Sequence, residues 1–161
     1  FELKISEVDL HGLIRQAVEH LTLQVQQRDG QIQVQLDAQN PILQGDQTHL
    51  SNVIYNLLDN ANKYSLEAPD IKISTVNLNG GIEVVVEDKG IGISKENQKH
   101  IFDKFYRVHT GNVHDVKGFG LGLSYVKAIA SAHQGSVGVR SEPGKGSRFS
   151  LYLPLRQKNS K

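Results

Sequence analysis

The sequence predicts an α+β two-layer sandwich, a mixed sheet of about five strands packed against three helices. Two observations lead there. Apolar residues recur at helical spacing in three separate segments, and the strand-like segments come as hairpins flanking those helices, without the regular strand–helix alternation of a doubly wound parallel sheet. At 161 residues the chain has the length of one domain with one substantial core.

From Asp9, an expected N-cap, the residues Leu10, Leu13, Ile14, Ala17, Leu21 and Val25 recur with helical period until "RDG" stops them. "QIQVQLD" then alternates Ile32, Val34 and Leu36 with glutamines, the pattern of a strand with one wet face, and a short strand is expected around "PILQGD". From Gln47 the spacing of Leu50, Val53, Ile54, Leu57 and Ala61 describes a second helix. "IKISTVNL" and "IEVVVED", joined through "NGG", read as a hairpin with a tight glycine turn. The interval from Lys89 to Gly118 is the longest irregular segment. After it, "LGLSYVKAIASAH" forms a third helix with Leu121, Tyr125, Ala128, Ile129 and Ala132 facing inward. "GSVGVRS", the turn "EPGKG" and "SRFSLYLPL" make a closing hairpin with Phe149, Leu151 and Leu153 on one face, and residues 156–161 read as a frayed tail.

Composition narrows the function classes. Eighteen basic and seventeen acidic residues leave a net charge of +1, which gives no bulk electrostatic reason to expect nucleic acid or an anionic membrane as partner. The absence of cysteine removes disulfide frameworks and cysteine-based zinc sites. No apolar run approaches a membrane span, and no signal-peptide pattern opens the chain. The chain begins on Phe1 and reads as a piece of a longer protein.

Balanced charge argues for a discrete site, and the stretch "NLLDNANKYS" is where to look for it. Asn56, Asn60 and Lys63 fall at i, i+4 and i+7, one polar stripe on an otherwise apolar helix. A lone asparagine here reads as a surface residue or the partner of a nearby backbone group. The aligned set reads otherwise, because amide oxygens ligate a hard cation such as Mg²⁺ without adding charge that repels phosphate, and a lysine one turn on meets phosphate as a point charge. In "EDKGIGIS", Asp88 ends a strand before Gly90 and Gly92. It is either a plain turn or a carboxylate placed to accept a proton from an exocyclic amine, with glycines that let backbone approach a ring. "KGFGLGLS" sets Gly118, Gly120 and Gly122 directly before a helix, which frees backbone N–H groups for an anion; the bland reading is a flexible loop ending in a cap. It lacks both the Lys-Ser/Thr closure of a P-loop and the acidic partner of a dinucleotide fingerprint. Between them, Phe102 and Phe105 alternate with Lys104, Arg107 and Lys117, the composition of a lid or of a solvated loop. His109 and His114 lack nearby carboxylates in a metal-like pattern and read as surface groups.

Taken in order, "NLLDNANKYS", "DKGIG", "IFDKFYR", "GFGLGLS" and "GKGSRF" resemble the asparagine box, the first glycine box, the phenylalanine box and the two later glycine boxes of the catalytic ATP-binding domain of bacterial sensor histidine kinases. The resemblance spans essentially the whole chain. It implies the Bergerat-type sandwich of the ATPase superfamily that joins histidine kinases with gyrase, heat-shock chaperones and mismatch-repair proteins. Asn56 and Asn60 would hold Mg²⁺ and phosphate, with Lys63 on phosphate. Tyr64 would pack near the base or ribose, Asp88 would bind the adenine amine, and Ser147 would support the base pocket through water. Gly118, Gly120 and Gly122 would line the phosphates, and Arg107 and Lys117 would reach them from a lid at 103–117. Gly90, Gly92, Ile93, Phe102, Leu121 and Leu123 fall inside or beside these boxes and complete the implied nucleotide contacts. Phe119 departs from the small hydroxyl residue usual between the first two glycines of its box.

In the hydrolysing relatives a glutamate stands where this chain has Asn56, whose amide cannot act as a general base. The resemblance therefore implies transfer of the ATP γ-phosphoryl group to a histidine, for relay to a response-regulator aspartate. None of the seven histidines sits in a phosphoacceptor-like sequence, so the acceptor is expected on a dimerisation domain upstream, with residues 1–8 as the end of a linker. The implied setting is a cytoplasmic domain, monomeric alone, in a homodimeric parent anchored in the inner membrane. The rival readings are an ATP-hydrolysing relative and a nucleotide-responsive module without catalysis.

Overall fold

The computed structural model describes residues 2–104, 106 and 119–157, with side chains in the last segment from residue 122 onward. The elements run β1 (Ser6–Asp9), α1 (Leu10–Gln27), β2 (Gln31–Leu36), β3 (Ile42–Gly45), α2 (Gln47–Lys63), β4 (Asp70–Leu78), β5 (Gly81–Asp88), α3 (Lys95–Gln98), α4 (Phe119–Ala132), β6 (Ser136–Glu142) and β7 (Gly146–Pro154). Strands order as β2-β4-β5-β7-β6 in a five-stranded sheet. β2 pairs with β4 in parallel and every other pairing is antiparallel, so the sheet is mixed.

The helices cover one face of this sheet. α2 lies centrally between α1 and α4 and rests on β4 and β5, while α4 rests on β6 and β7. The core between the layers is aliphatic, with Leu10, Ile14 and Leu21 from α1, Leu50, Ile54, Leu57 and Leu58 from α2, and Ile71, Ile73 and Ile82 from the sheet all fully buried. The β4–β5 hairpin turns on Asn79 and Gly80, both at positive φ (51° and 72°), the primed-turn geometry that matches strand twist.

Three details depart from the sequence expectation. β1 and β3 form a separate two-stranded antiparallel sheet, Ser6 opposite Gly45, and β1 is too short to show a period of its own. β2 is an edge strand, so its apolar face is only partly covered: Ile32 and Leu36 are half-buried and Val34 is 43% exposed. α4 begins at Phe119, which puts Gly120 and Gly122 inside its first turn and not before it. Its buried face is Leu123, Val126, Ile129 and Ala130, followed by His133, whereas Tyr125, Ala128 and Ala132 are only half-buried. This helix is apolar on nearly every side, so two different stripes fit its period. His133 settles the choice: its buried ring accepts the Asp46 backbone N–H at 3.0 Å through Nε2 and bonds the Ile129 carbonyl at 2.8 Å through Nδ1.

α2 is secured at both ends. At its start Asp46 accepts the His49 backbone N–H at 3.0 Å and that of Lys4 at 2.9 Å, and these two bonds hold its carboxyl below the usual range. At its end the Arg28 guanidinium, just past α1, donates to the carbonyls of Asn62 and Ser65 and to the Asn62 side-chain oxygen at 2.9 Å. A cation there also suits the negative end of the helix dipole.

The rotated face of α4 is directly testable. Leu123→Ala should lower stability by about 3 kcal/mol, while Ala128→Ser should change it by less than about 0.5 kcal/mol. The chain has no tryptophan, so urea unfolding followed by far-ultraviolet circular dichroism is the suitable measurement.

Candidate nucleotide site

α2 brings one wall of a pocket, and β5, β7 and the loop after β5 bring the rest. Its lining is Asn60, Tyr64, Asp88, Ile91, Gly92, Ile93, Ser147 and Phe149. Six of these eight were expected from sequence; Ile91 and Phe149 were not. Phe149 sits in an alternating strand and reads there as core, and it does reach the core on one side. Ile91 lies between two glycines in a loop, where no period marks it.

Backbone contacts bring the α2 end and the β5 loop together. The Tyr64 carbonyl accepts the Ile91 N–H at 3.0 Å. Gly90 passes so close to that carbonyl that a Cβ would collide with it, and Gly92, at φ +71°, faces the Glu142 carbonyl just as tightly. These two glycines are required by approach and conformation together. Asp88 is pinned by the Gly90 N–H, 2.8 Å from its Oδ1. Burial pushes the Asp88 carboxyl up to about 6, although the Gly90 and Ser147 amides favour its charged form. A half-buried carboxyl raised by desolvation and a buried Asn60 whose Nδ2 has no partner meet on this one pocket.

The remaining expected residues divide. Asn56 is half-buried one turn before Asn60, and a Cβ on Gly122 would lie 3.9 Å from its carboxamide, so α2 and the start of α4 face each other there. Lys63 is 41% exposed and pairs with Asp59 at 2.8 Å. Phe102 meets Phe149 edge to face, ring centroids 6.3 Å apart, and so supports the pocket from behind. Leu123 is fully buried in the core. Gly120 and Leu121 lie in the first turn of α4, where N–H groups have no intrahelical partner. Arg107, Lys117 and Gly118 fall outside the described residues, as do His109 and His114 and most of the expected lid at 103–117. The third asparagine of the stretch, Asn62, is spent on Arg28 and points away from any ligand role.

This geometry agrees with the family comparison. A family model described as histidine kinase-, DNA gyrase B-, and HSP90-like ATPase matches residues 45–157. The chain belongs to this family. Within it, the chain is an ATP-binding catalytic domain of the sensor histidine kinase type. It is 47% identical to the sensor protein RprX of Bacteroides fragilis over 95% of its own length and 30% of the relative's. It is 37% identical to the sensor-like histidine kinase SenX3 of Mycolicibacterium smegmatis, covering 93% of this chain and 39% of that protein. It thus spans about a third of the length of these curated relatives. Among solved structures, full-length ShkA in complex with AMPPNP superposes with a TM-score of 0.84 at 27% identity, over 99% of this chain and 33% of that one.

The Asp88 carboxyl makes a signed prediction for this ATPase-family domain. Its folded pKa, about 6, lies above its ordinary value of 3.8, so its contribution to stability is full below 3.8 and is lost as pH rises through about 6. Asp88→Asn should therefore stabilise the ligand-free domain at pH 8, by up to about 3 kcal/mol, and the gain should vanish in urea titrations near pH 4.

Proposed function

We propose that the domain binds Mg²⁺ATP along α2 and passes the γ-phosphoryl group to a histidine on the dimerisation domain of its parent kinase, for relay to the aspartate of a response-regulator receiver domain. The observation that carries this reading is the buried Asn60 carboxamide, with an unpartnered Nδ2, on the same pocket as the desolvated, half-buried Asp88. A desolvated amide without a partner is unfavourable by roughly 1–3 kcal/mol, and a polar ligand relieves it. Asp88 then accepts the exocyclic amine of adenine, and Tyr64, Ile91, Ile93 and Phe149 supply the apolar surface that a base requires. Lys63 exchanges Asp59 for phosphate.

The cation fits the donors present. Among the described residues no group of three or more His, Cys, Asp or Glu is assembled as for a metal. Amide oxygens of Asn60 and Asn56 would hold Mg²⁺, which neutralises phosphate charge when bound. Asn56 stands where a hydrolase needs a base, and its amide does not remove a proton from water. The phosphoryl group therefore awaits a stronger nucleophile, an imidazole delivered from outside this chain. The parent is a homodimer anchored in the inner membrane with this domain in the cytoplasm. No helix among the described residues is long and apolar enough to cross a membrane.

Two experiments follow. Incubated with radiolabelled ATP and the separate dimerisation domain, the chain should label the dimerisation domain; label on this chain alone contradicts the assignment. Asn60→Ala should weaken Mg²⁺ATP binding by at least about tenfold while leaving the unfolding midpoint of the ligand-free domain unchanged or raised. Calorimetric titration beside thermal melts reads both.

A further inference from the structure

Behind the pocket wall, outside every box that carries the family resemblance, Ser141 on β6 gathers three hydrogen bonds on one hydroxyl. It accepts the Ile93 backbone N–H at 2.7 Å, donates to the Gly146 carbonyl at 2.8 Å, and lies 2.8 Å from the Ser147 hydroxyl. Ser147 itself lines the pocket next to Asp88, and Asp88 and Ser147 face each other across β5 and β7. Gln98 reinforces the arrangement by donating to the carbonyls of Ile93 at 2.7 Å and Ser141 at 2.9 Å.

Proton counting fixes the direction of this network. A backbone N–H only donates and a carbonyl only accepts, so the single Ser141 proton belongs to Gly146. The Ser147 proton must then point to Ser141, away from the pocket. Toward a ligand, Ser147 offers lone pairs alone. Beside it the ionised Asp88 is also an acceptor, so this corner of the pocket asks its ligand for donors.

We propose that Ser141 is a specificity-determining positioning residue: by taking the Ser147 proton it makes the base pocket favour a purine bearing an exocyclic amine over one bearing a carbonyl at the same carbon. The inference rests on the nucleotide reading above and deepens it. Adenine presents an amine donor beside a ring-nitrogen acceptor; hypoxanthine inverts both, a carbonyl beside a ring N–H. A carbonyl set against an acceptor-only Ser147 leaves two lone pairs facing each other and both unpaired, a mismatch that buried sites discriminate strongly against. Freed from Ser141, the Ser147 hydroxyl can rotate and donate, and the penalty on the carbonyl purine falls.

The test is calorimetric titration with ATP and with inosine triphosphate, both with Mg²⁺, on the full chain. The unaltered protein should bind ATP more tightly. Ser141→Ala should narrow the ATP-to-inosine-triphosphate preference by about tenfold, and Ser141→Thr, which restores the hydroxyl, should recover it. A purely structural role predicts the opposite pattern, equal weakening of both nucleotides with the ratio unchanged, and that result overturns the proposal. Should Ser141→Ala fail to fold, Ser147→Ala answers the same question: it must narrow the ratio to a similar extent, and an unchanged ratio again overturns the proposal. If the unaltered protein binds neither nucleotide, the nucleotide reading itself falls. Binding of both with equal affinity leaves that reading standing and sinks only the role of Ser141.

Discussion

Arg28, just past α1, holds the end of α2, from which Asn60 and Tyr64 reach the pocket. The guanidinium satisfies carbonyls that the helix end leaves open, with the Asn62 amide oxygen as an additional anchor. Tyr64 follows at once, and its carbonyl receives the Ile91 N–H. Through that bond the loop after β5 is drawn against α2 so tightly that only glycine fits at position 90. Asp88 is oriented by the same glycine's amide. A continuous run of hydrogen bonds and close contacts thus links the Arg28 cap to the carboxylate on the pocket floor.

That carboxylate is held against its own preference. The surrounding fold removes water from Asp88 and returns two backbone amides, which is too little to bring its pKa back to the ordinary range. A chain selected for stability alone would place an apolar or amide side chain here. Asn60 repeats the pattern on the opposite wall, a buried amide with an open donor. Elsewhere among the described residues buried polar groups find partners: His11 bonds Thr75 at 2.8 Å, His133 accepts the Asp46 backbone N–H, and Ser65 donates to the Ala61 carbonyl at 2.8 Å. An open amide donor and a carboxyl raised by desolvation, together on one pocket, mark a site suited to a ligand.

Much of this was legible in the sequence because it is local. The amide stripe of α2, the Asn79–Gly80 turn and the strand-end aspartate each follow from spacing within a few residues. What was hidden depends on partners far along the chain. β1 has four residues and finds β3 more than thirty positions later, so no period betrays it. The apolar stripe of α4 admits two faces, and only the bond from His133 to Asp46 chooses between them. Ile91 and Phe149 join the pocket because α2 ends beside them, and Arg28 and Ser141 act through carbonyls and hydroxyls that no residue pattern announces.

The distribution of charge along α2 connects these observations to chemistry. One carboxylate, Asp88, stands at the end proposed for the base, where an amine donor can meet it. Along the stretch proposed for phosphates, Asn56 and Asn60 are neutral amides, and Asp59 pairs with Lys63 at 2.8 Å in the ligand-free domain. A carboxylate in place of Asn56 could act as a general base toward water. In the proposed reading the Asn56 amide offers no general base, so it would withhold hydrolysis. Under the proposed function, that side-chain choice would separate holding ATP from consuming it, the condition a domain must meet if its phosphoryl group is to wait for a nucleophile carried by another domain.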